Sequence, residues 1–140
     1  MFEKVLVAID DSPHSAKALG AAQELARLSG AEVRVVHVRE IALAAGARGV
    51  PLPSGGRDKA AKLVDDAVAE LTSAGLNATG AVRAAVAGHV ARELLEEASE
   101  WGASVMVLAS RGLSDLAGLV VGSTTHKVLH LGNLPVLVVR

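Results

Sequence analysis

Between Ala109 and Thr124 the chain carries its densest set of groups suited to gripping an anion. The stretch runs Ala109-Ser110-Arg111-Gly112, nine further residues, then Gly122-Ser123-Thr124. Small residues at the end of a strand let backbone N–H groups approach a charged oxygen, and the first turn of a helix holds N–H groups that no intrahelical carbonyl can take. Gly122 and the hydroxyls of Ser123 and Thr124 fall where such a helix starts, so phosphate is the natural guest. A plainer reading uses the same residues: Gly112 and Gly122 permit turns, and Ser123 caps its helix. Spacing alone leaves both readings open.

Other groups carry weaker signals. Asp10 and Asp11 close an apolar run, and Asp10 is the candidate to hold Mg²⁺ through a bound phosphate, since that ion usually takes one or two carboxylates plus substrate oxygens; Asp11 alternatively serves only the positive end of the following helix. Ser54-Gly55-Gly56-Arg57-Asp58 has the composition of the pyrophosphate loop of ATP pyrophosphatases. That loop must follow a central strand, which Val50-Pro51-Leu52-Pro53 cannot form because proline lacks the ladder donor. His126 and His130 have the i, i+4 spacing that places two imidazoles on one helix face, but no third ligand or His-Glu motif accompanies them, and they read as a solvated face. His37 sits inside a strand and reads as a hydrogen-bonded structural histidine. Asp11, Ser12 and His14 are neighbours in sequence that point differently around a helix start, so no catalytic set emerges. Arg39, Arg48, Arg57 and Lys59 can reach phosphates if the segment bearing them folds over a site, a binding role with at most slow hydrolysis.

The elements that must position these groups alternate. KVLVAID, Lys4 to Asp10, is the nearly continuous apolar run of a strand buried on both faces. Ser12 and Pro13 suit the start of a helix whose apolar set ends at Gly30. EVRVVHV, Glu32 to Val38, is a second buried strand. Arg39 to Gly56 loses periodicity and is rich in Gly and Pro, the pattern of a long irregular loop. A helix follows over Arg57 to Ala74, a weaker strand suited to a sheet edge over Ala78 to Val86, a helix opened by Gly88 and stopped at Gly102, a strongly buried strand over Ser104 to Ala109, a loop to Gly122, a helix over Ser123 to Leu131, and a last strand over Pro135 to Val139. This alternation predicts an α/β fold: an open, doubly wound, five-stranded parallel sheet in order 3-2-1-4-5 with helices on both faces. The crevice between the carboxyl ends of strands one and four is then the switch point at which ligands bind. Asp10, Val38, Ala87, Gly88 and Ala109 to Gly112 are aimed at that rim.

Composition narrows the function classes. At 140 residues the chain fits a single domain over 1–140. It has 0 cysteines and a formal net charge of -1, which gives no disulfide framework and none of the basic footprint of a nucleic-acid binder or a polybasic membrane anchor. No apolar run approaches the ~20 residues of a membrane span. The start shows no basic region followed by a cleavage site, so no secretory leader is expected and a cytoplasmic location is the default. With Phe2 and Trp101 the only aromatic residues, stacking platforms for single strands are excluded.

The run from Val105 to Arg140, with SRGLSDLAGLVVGSTTHKVLHLGNLPVLVVR at its heart, resembles the universal stress protein family, and the likeness extends through VLVAID and VVHV to the whole chain. Nucleotide-binding members of that family carry Gly, two residues, Gly, nine residues, Gly, then Ser or Thr. Gly112, Gly122 and Ser123 match, and Ala109 stands at the first glycine. The resemblance implies ATP or a related adenine nucleotide at the switch point, with Asp10 near the ribose and phosphates, Val38 beside the adenine through its main chain, and Ala109, Arg111, Gly112, Gly122, Ser123 and Thr124 around the phosphates. Ala8, where such members often have proline, bears on how stiffly the chain leaves the first strand. The resemblance also implies a homodimer through Pro135 to Val139 and a regulatory rather than turnover role in the stress response. The alternative is a dimeric interaction protein without a nucleotide, with Ala109 as its mark. An alanine keeps the backbone donor, so its methyl matters only if φ must be positive or if the ligand packs on that Cα.

Overall fold

A computed structural model describes residues 1–41, 55–110 and 122–140. Arg48, Ser54, Arg111 and Gly112 therefore lie outside the described residues. The element order is β1 (Lys4–Ala8), α1 (His14–Ser29), β2 (Glu32–Ile41), α2 (Gly55–Ser73), β3 (Ala78–Val86), α3 (Val90–Trp101), β4 (Val105–Ala109), α4 (Ser123–Leu131) and β5 (Val136–Val139). The strands form one five-stranded sheet in the expected order β3-β2-β1-β4-β5, and every pairing is parallel.

Side-chain alternation along each strand splits the interior into two layers. Val5, Val7, Val33, Val35, Val105 and Val107 face α1 and α2 in one core. Leu6, Val36, Val38, Met106 and Leu108 face α3 and Val128 of α4 in the other. This is why β1 and β4 read as unbroken apolar runs: both of their faces are covered. On the α2 side, close approach requires Gly80 of β3, because a Cβ there would clash with Val64 Cγ1 and stand 3.1 Å from Val68 Cγ2. On the other side, α3 ends at Gly102 with φ 78°, and its N–H returns to Ala98 and Ser99 carbonyls; only glycine adopts that left-handed turn without strain.

A network of charges ties α3 to the sheet. Arg34 of β2 donates to Glu97 at 2.6 Å, and Arg83 of β3 donates to Glu93 at 2.8 Å, Glu97 at 2.9 Å and Glu100 at 3.1 Å. Glu97 is only 5% exposed. Burial pushes its carboxyl up, but hydrogen bonds from Arg83 and Arg34 outweigh that and hold it below the ordinary value. The guanidinium of Arg34 also lies over the Trp101 ring, as does the Lys4 ammonium.

Several boundaries differ from expectation. The second strand continues through Arg39, Glu40 and Ile41, which pair with Ala84, Ala85 and Val86, so the segment after Val38 does not begin as a loop. Since β1 ends at Ala8 opposite Val36, the paired ends of β2 and β3 project five residues beyond it and form a wall beside the switch point. Helix α2 starts at Gly55 rather than Arg57. Pro13 occupies the N-cap of α1 with no side-chain cap, and the buried Ser12 hydroxyl, expected to cap it, has no partner among the described residues.

Candidate functional site

At the carboxyl rim a cavity of about 350 Å³ opens between the ends of β1 and β4. The projecting β2 wall supplies His37, Val38, Arg39 and Glu40 to it, α3 supplies Val90 and Leu94, and the start of α4 supplies Gly122, Ser123, Thr124 and Thr125. Ala8, Ile9, Asp10 and Ser15 come from the β1–α1 junction, Leu108 and Ala109 from β4. Val38, Val90, Leu94 and Leu108 make part of the lining apolar; the polar part holds hydroxyls, the Asp10 and Glu40 carboxylates, His37 and Arg39. The structure thus brings together Ala8, Asp10, Val38, Ala109, Gly122, Ser123 and Thr124, seven of the nine residues singled out from sequence, while Arg111 and Gly112 lie outside the described residues.

Asp10 is held by its own turn. Its Oδ1 accepts the Ser12 N–H at 2.8 Å and the Ser15 hydroxyl at 2.9 Å, and its N–H donates to Ser15 Oγ at 2.7 Å. The carboxylate bonding the N–H two residues on is an Asx-turn, which competes with a helix cap for the same backbone. It explains why Asp10, not Ser12, organises the entry to α1. The orientation leaves Oδ2 without a partner among the described residues, available to accept from a ribose hydroxyl or to ligate a phosphate-bound metal ion. Asp11 is exposed and paired elsewhere: Lys59 donates to it at 2.8 Å, and that hydrogen bond, then the lysine's charge and that of His37, hold its carboxyl below the ordinary value.

The start of α4 bears on the capping reading of Ser123. Gly122 is the N-cap, with φ −62° and ψ 156°, and no side chain caps the helix. Ser123 is therefore not a cap. Gly122 N–H donates to Ser110 O and His126 N–H to Gly122 O, while Thr125 Oγ1 donates to Ala109 O at 2.9 Å and fastens the helix start to β4. The first-turn N–H groups of Ser123 and Thr124 have no side-chain acceptor among the described residues, the arrangement a helix N-terminus offers an anion.

Ala109 ends β4 in register with Val139, and no residue other than glycine has positive φ among the described residues. Its methyl therefore costs the backbone no strain. His37 behaves as read from the strand: Nδ1 lies 2.8 Å from Ile9 O, and since a carbonyl only accepts, Nδ1 carries the proton. Arg39 reaches back toward α2, where a Cβ on Gly56 would stand 3.6 Å from Arg39 Nη1; Gly55 to Asp58 form the first turn of that helix and not a loop after a central strand. Sequence reading missed Ile9, Ser15, Glu40, Val90, Leu94 and Thr125. Ser15 had a usable signal in the Asp10-to-Ser15 spacing; Val90 and Leu94 had none, since a helix stripe does not say which strand end it covers.

No described helix is long and apolar enough to cross a membrane, and the described residues hold no group of three or more His, Cys, Asp or Glu able to cage a metal. The chain is 36% identical to the universal stress protein YxiE of Bacillus subtilis (strain 168), with all of both chains covered. Its structure matches that of a universal stress protein family member from Burkholderia pseudomallei with TM-score 0.78 at 28% identity, over 99% of this chain and 96% of that one. It also shares its fold, with TM-score 0.73 at 24% identity and both chains covered completely, with a universal stress protein from Archaeoglobus fulgidus solved in complex with dAMP. The model of the universal stress protein family matches residues 1–140, so the chain belongs to the universal stress protein family.

Proposed function

We propose that the rim cavity binds ATP or a related adenine nucleotide as a regulatory ligand in a stress response. The observation that carries this is the uncapped α4 N-terminus at Gly122, Ser123 and Thr124 standing across one cavity from the Asp10 carboxylate and the apolar wall at Val38, Val90, Leu94 and Leu108. The three parts fit the three parts of a nucleotide. The apolar wall and the main chain at Val38 suit the base, Asp10 the ribose, and the α4 N–H groups the phosphates, to which Arg111 and Gly112 belong by sequence. The dAMP held by the Archaeoglobus fulgidus fold relative supports the same ligand class. Asp10 also fits Mg²⁺ in the manner expected of that ion, one carboxylate together with phosphate oxygens. We read the ligand as a signal and not as a substrate turned over.

The chain is further proposed to act as a homodimer in the cytoplasm, pairing through Pro135 to Val139. Strand β5 is a sheet edge, and its Leu137 is 40% exposed. Edge pairing about a two-fold axis would cover this side chain and satisfy the free backbone of β5.

The nucleotide reading is tested by acid-quenching freshly purified protein and identifying what is released. An adenine nucleotide in near-stoichiometric amount from the wild type, and none from a folded Gly122→Val variant, is expected. The dihedrals of Gly122 are open to any residue, so the substitution strains no backbone. Release of no nucleotide, together with no thermal-shift response to added ATP at millimolar concentration, would leave the dimeric interaction protein as the better reading.

A further inference from the structure

His126 and His130 of α4 stand outside the nucleotide site. Both are exposed, and their rings are parallel to within 3° with centroids 6.5 Å apart. On a helix that buries Thr125 and Val128, residues four apart share a face with Cβ atoms ~5–6 Å apart, so the two imidazoles stand side by side over one turn. Lys127, next to His126 in sequence, donates to the Gly88 carbonyl at 3.1 Å.

We infer that His126 and His130 form a two-imidazole site for a borderline divalent transition metal: Cu²⁺, Ni²⁺ or Zn²⁺. Such ions take neutral imidazole nitrogens at ~2.0–2.1 Å, which asks for two nitrogens roughly 3 Å apart. Parallel rings on adjacent turns meet that bite by rotation about their side-chain bonds, with no backbone movement. The helix has already fixed the separation of the ligands, so the second imidazole binds without the entropy a flexible pair would lose. Two nitrogens leave the other coordination positions to water, which suits an exchangeable surface site and not a structural one. The ligand set also sets selectivity. Imidazole favours Cu²⁺ over Ni²⁺ and Zn²⁺, while Mg²⁺ and Ca²⁺ prefer oxygen and are not expected to compete. The inference does not rest on nucleotide binding.

The test is calorimetric titration of the untagged protein with Ni²⁺, beside His126→Gln, His130→Gln and, as a control at the N-cap of α3, His89→Gln. One Ni²⁺ per chain is expected for the wild type and for His89→Gln, with affinity lower by at least about tenfold in each of the other two. Absence of Ni²⁺ binding, wild-type affinity in either α4 variant, or an equal loss in His89→Gln would overturn the site. A second measurement needs no substitution. Titration of the wild type with diamagnetic Zn²⁺ should move the ring-proton resonances of His126 and His130 together, ahead of those of His14, His37 and His89; movement of another histidine first would equally overturn it.

Discussion

Asp10 and Ala109 show what single residues contribute at this rim. Asp10 was legible as a carboxylate at the end of a buried strand. Its orientation was not, because Ser12, the obvious cap, competes for the same turn and loses its backbone to the Asx arrangement. Ser15, which both donates to Oδ1 and accepts from the Asp10 N–H, is the residue that fixes the carboxylate. Ser15→Ala should destabilise the fold by about 1 kcal/mol and weaken ATP binding by up to about fivefold, within the tenfold that ~1.4 kcal/mol represents; paired denaturation and titration curves check both. Ala109 was the departure that put the site in question, and its consequence depended on φ, a quantity no sequence displays. With no positive-φ residue other than glycine among those described, Ala109→Gly should alter ATP affinity by less than about tenfold, or ~1.4 kcal/mol. It should also lower stability by up to roughly 1 kcal/mol, because glycine loses more freedom in a strand. A gain of tenfold or more in titration would show instead that the methyl obstructs the ligand.

At the scale of elements, the strands declared themselves and their ends did not. The unbroken valine runs of β1 and β4 made central strands readable, and the mixed polarity of Ala78 to Val86 marked an edge. The extension of β2 through Arg39-Glu40-Ile41 was unreadable, since those residues look like the polar entrance to a Gly/Pro-rich segment and become strand only by pairing with Ala84 to Val86. That extension builds the wall of the cavity. Helix α3, which closes the same cavity with Val90 and Leu94, is fastened by Glu97 between Arg34 and Arg83. The folded-state carboxyl of Glu97 lies below its ordinary value. The unfolded chain therefore binds the proton more readily, and the stabilisation is complete above pH 4.5, the ordinary value, and is lost as pH falls through the lower folded value. Glu97→Gln should cost about 2 kcal/mol near neutral pH, as expected for hydrogen bonds to a charged group. It should also flatten the fall in melting temperature below pH 4.5. Parallel acid limbs for the two proteins would show that the network contributes nothing to acid sensitivity.

For the whole molecule, alternation and right-handed connection left few topologies, the least strained of them is the order observed, and the switch point followed from the order. Assembly and ligand lie one step further. An apolar edge strand with Leu137 exposed is an aggregation hazard unless covered. Light scattering should therefore report a dimer for the wild type and a folded monomer for Leu137→Glu, in which a charge would be buried at the pairing edge; a wild-type monomer at tens of micromolar would contradict the pairing. The central claim is more local: an adenine nucleotide sits across the rim, with its base at the β2 wall and its phosphates at the α4 start. Amide-resolved NMR titration with Mg²⁺ and ATP reads presence and place together. The account predicts saturable shifts concentrated at Asp10, Val38, Ser123 and Thr124, with the backbone of α2 unmoved. Unchanged spectra at millimolar ATP, or saturable shifts clustered away from those four residues, would contradict it.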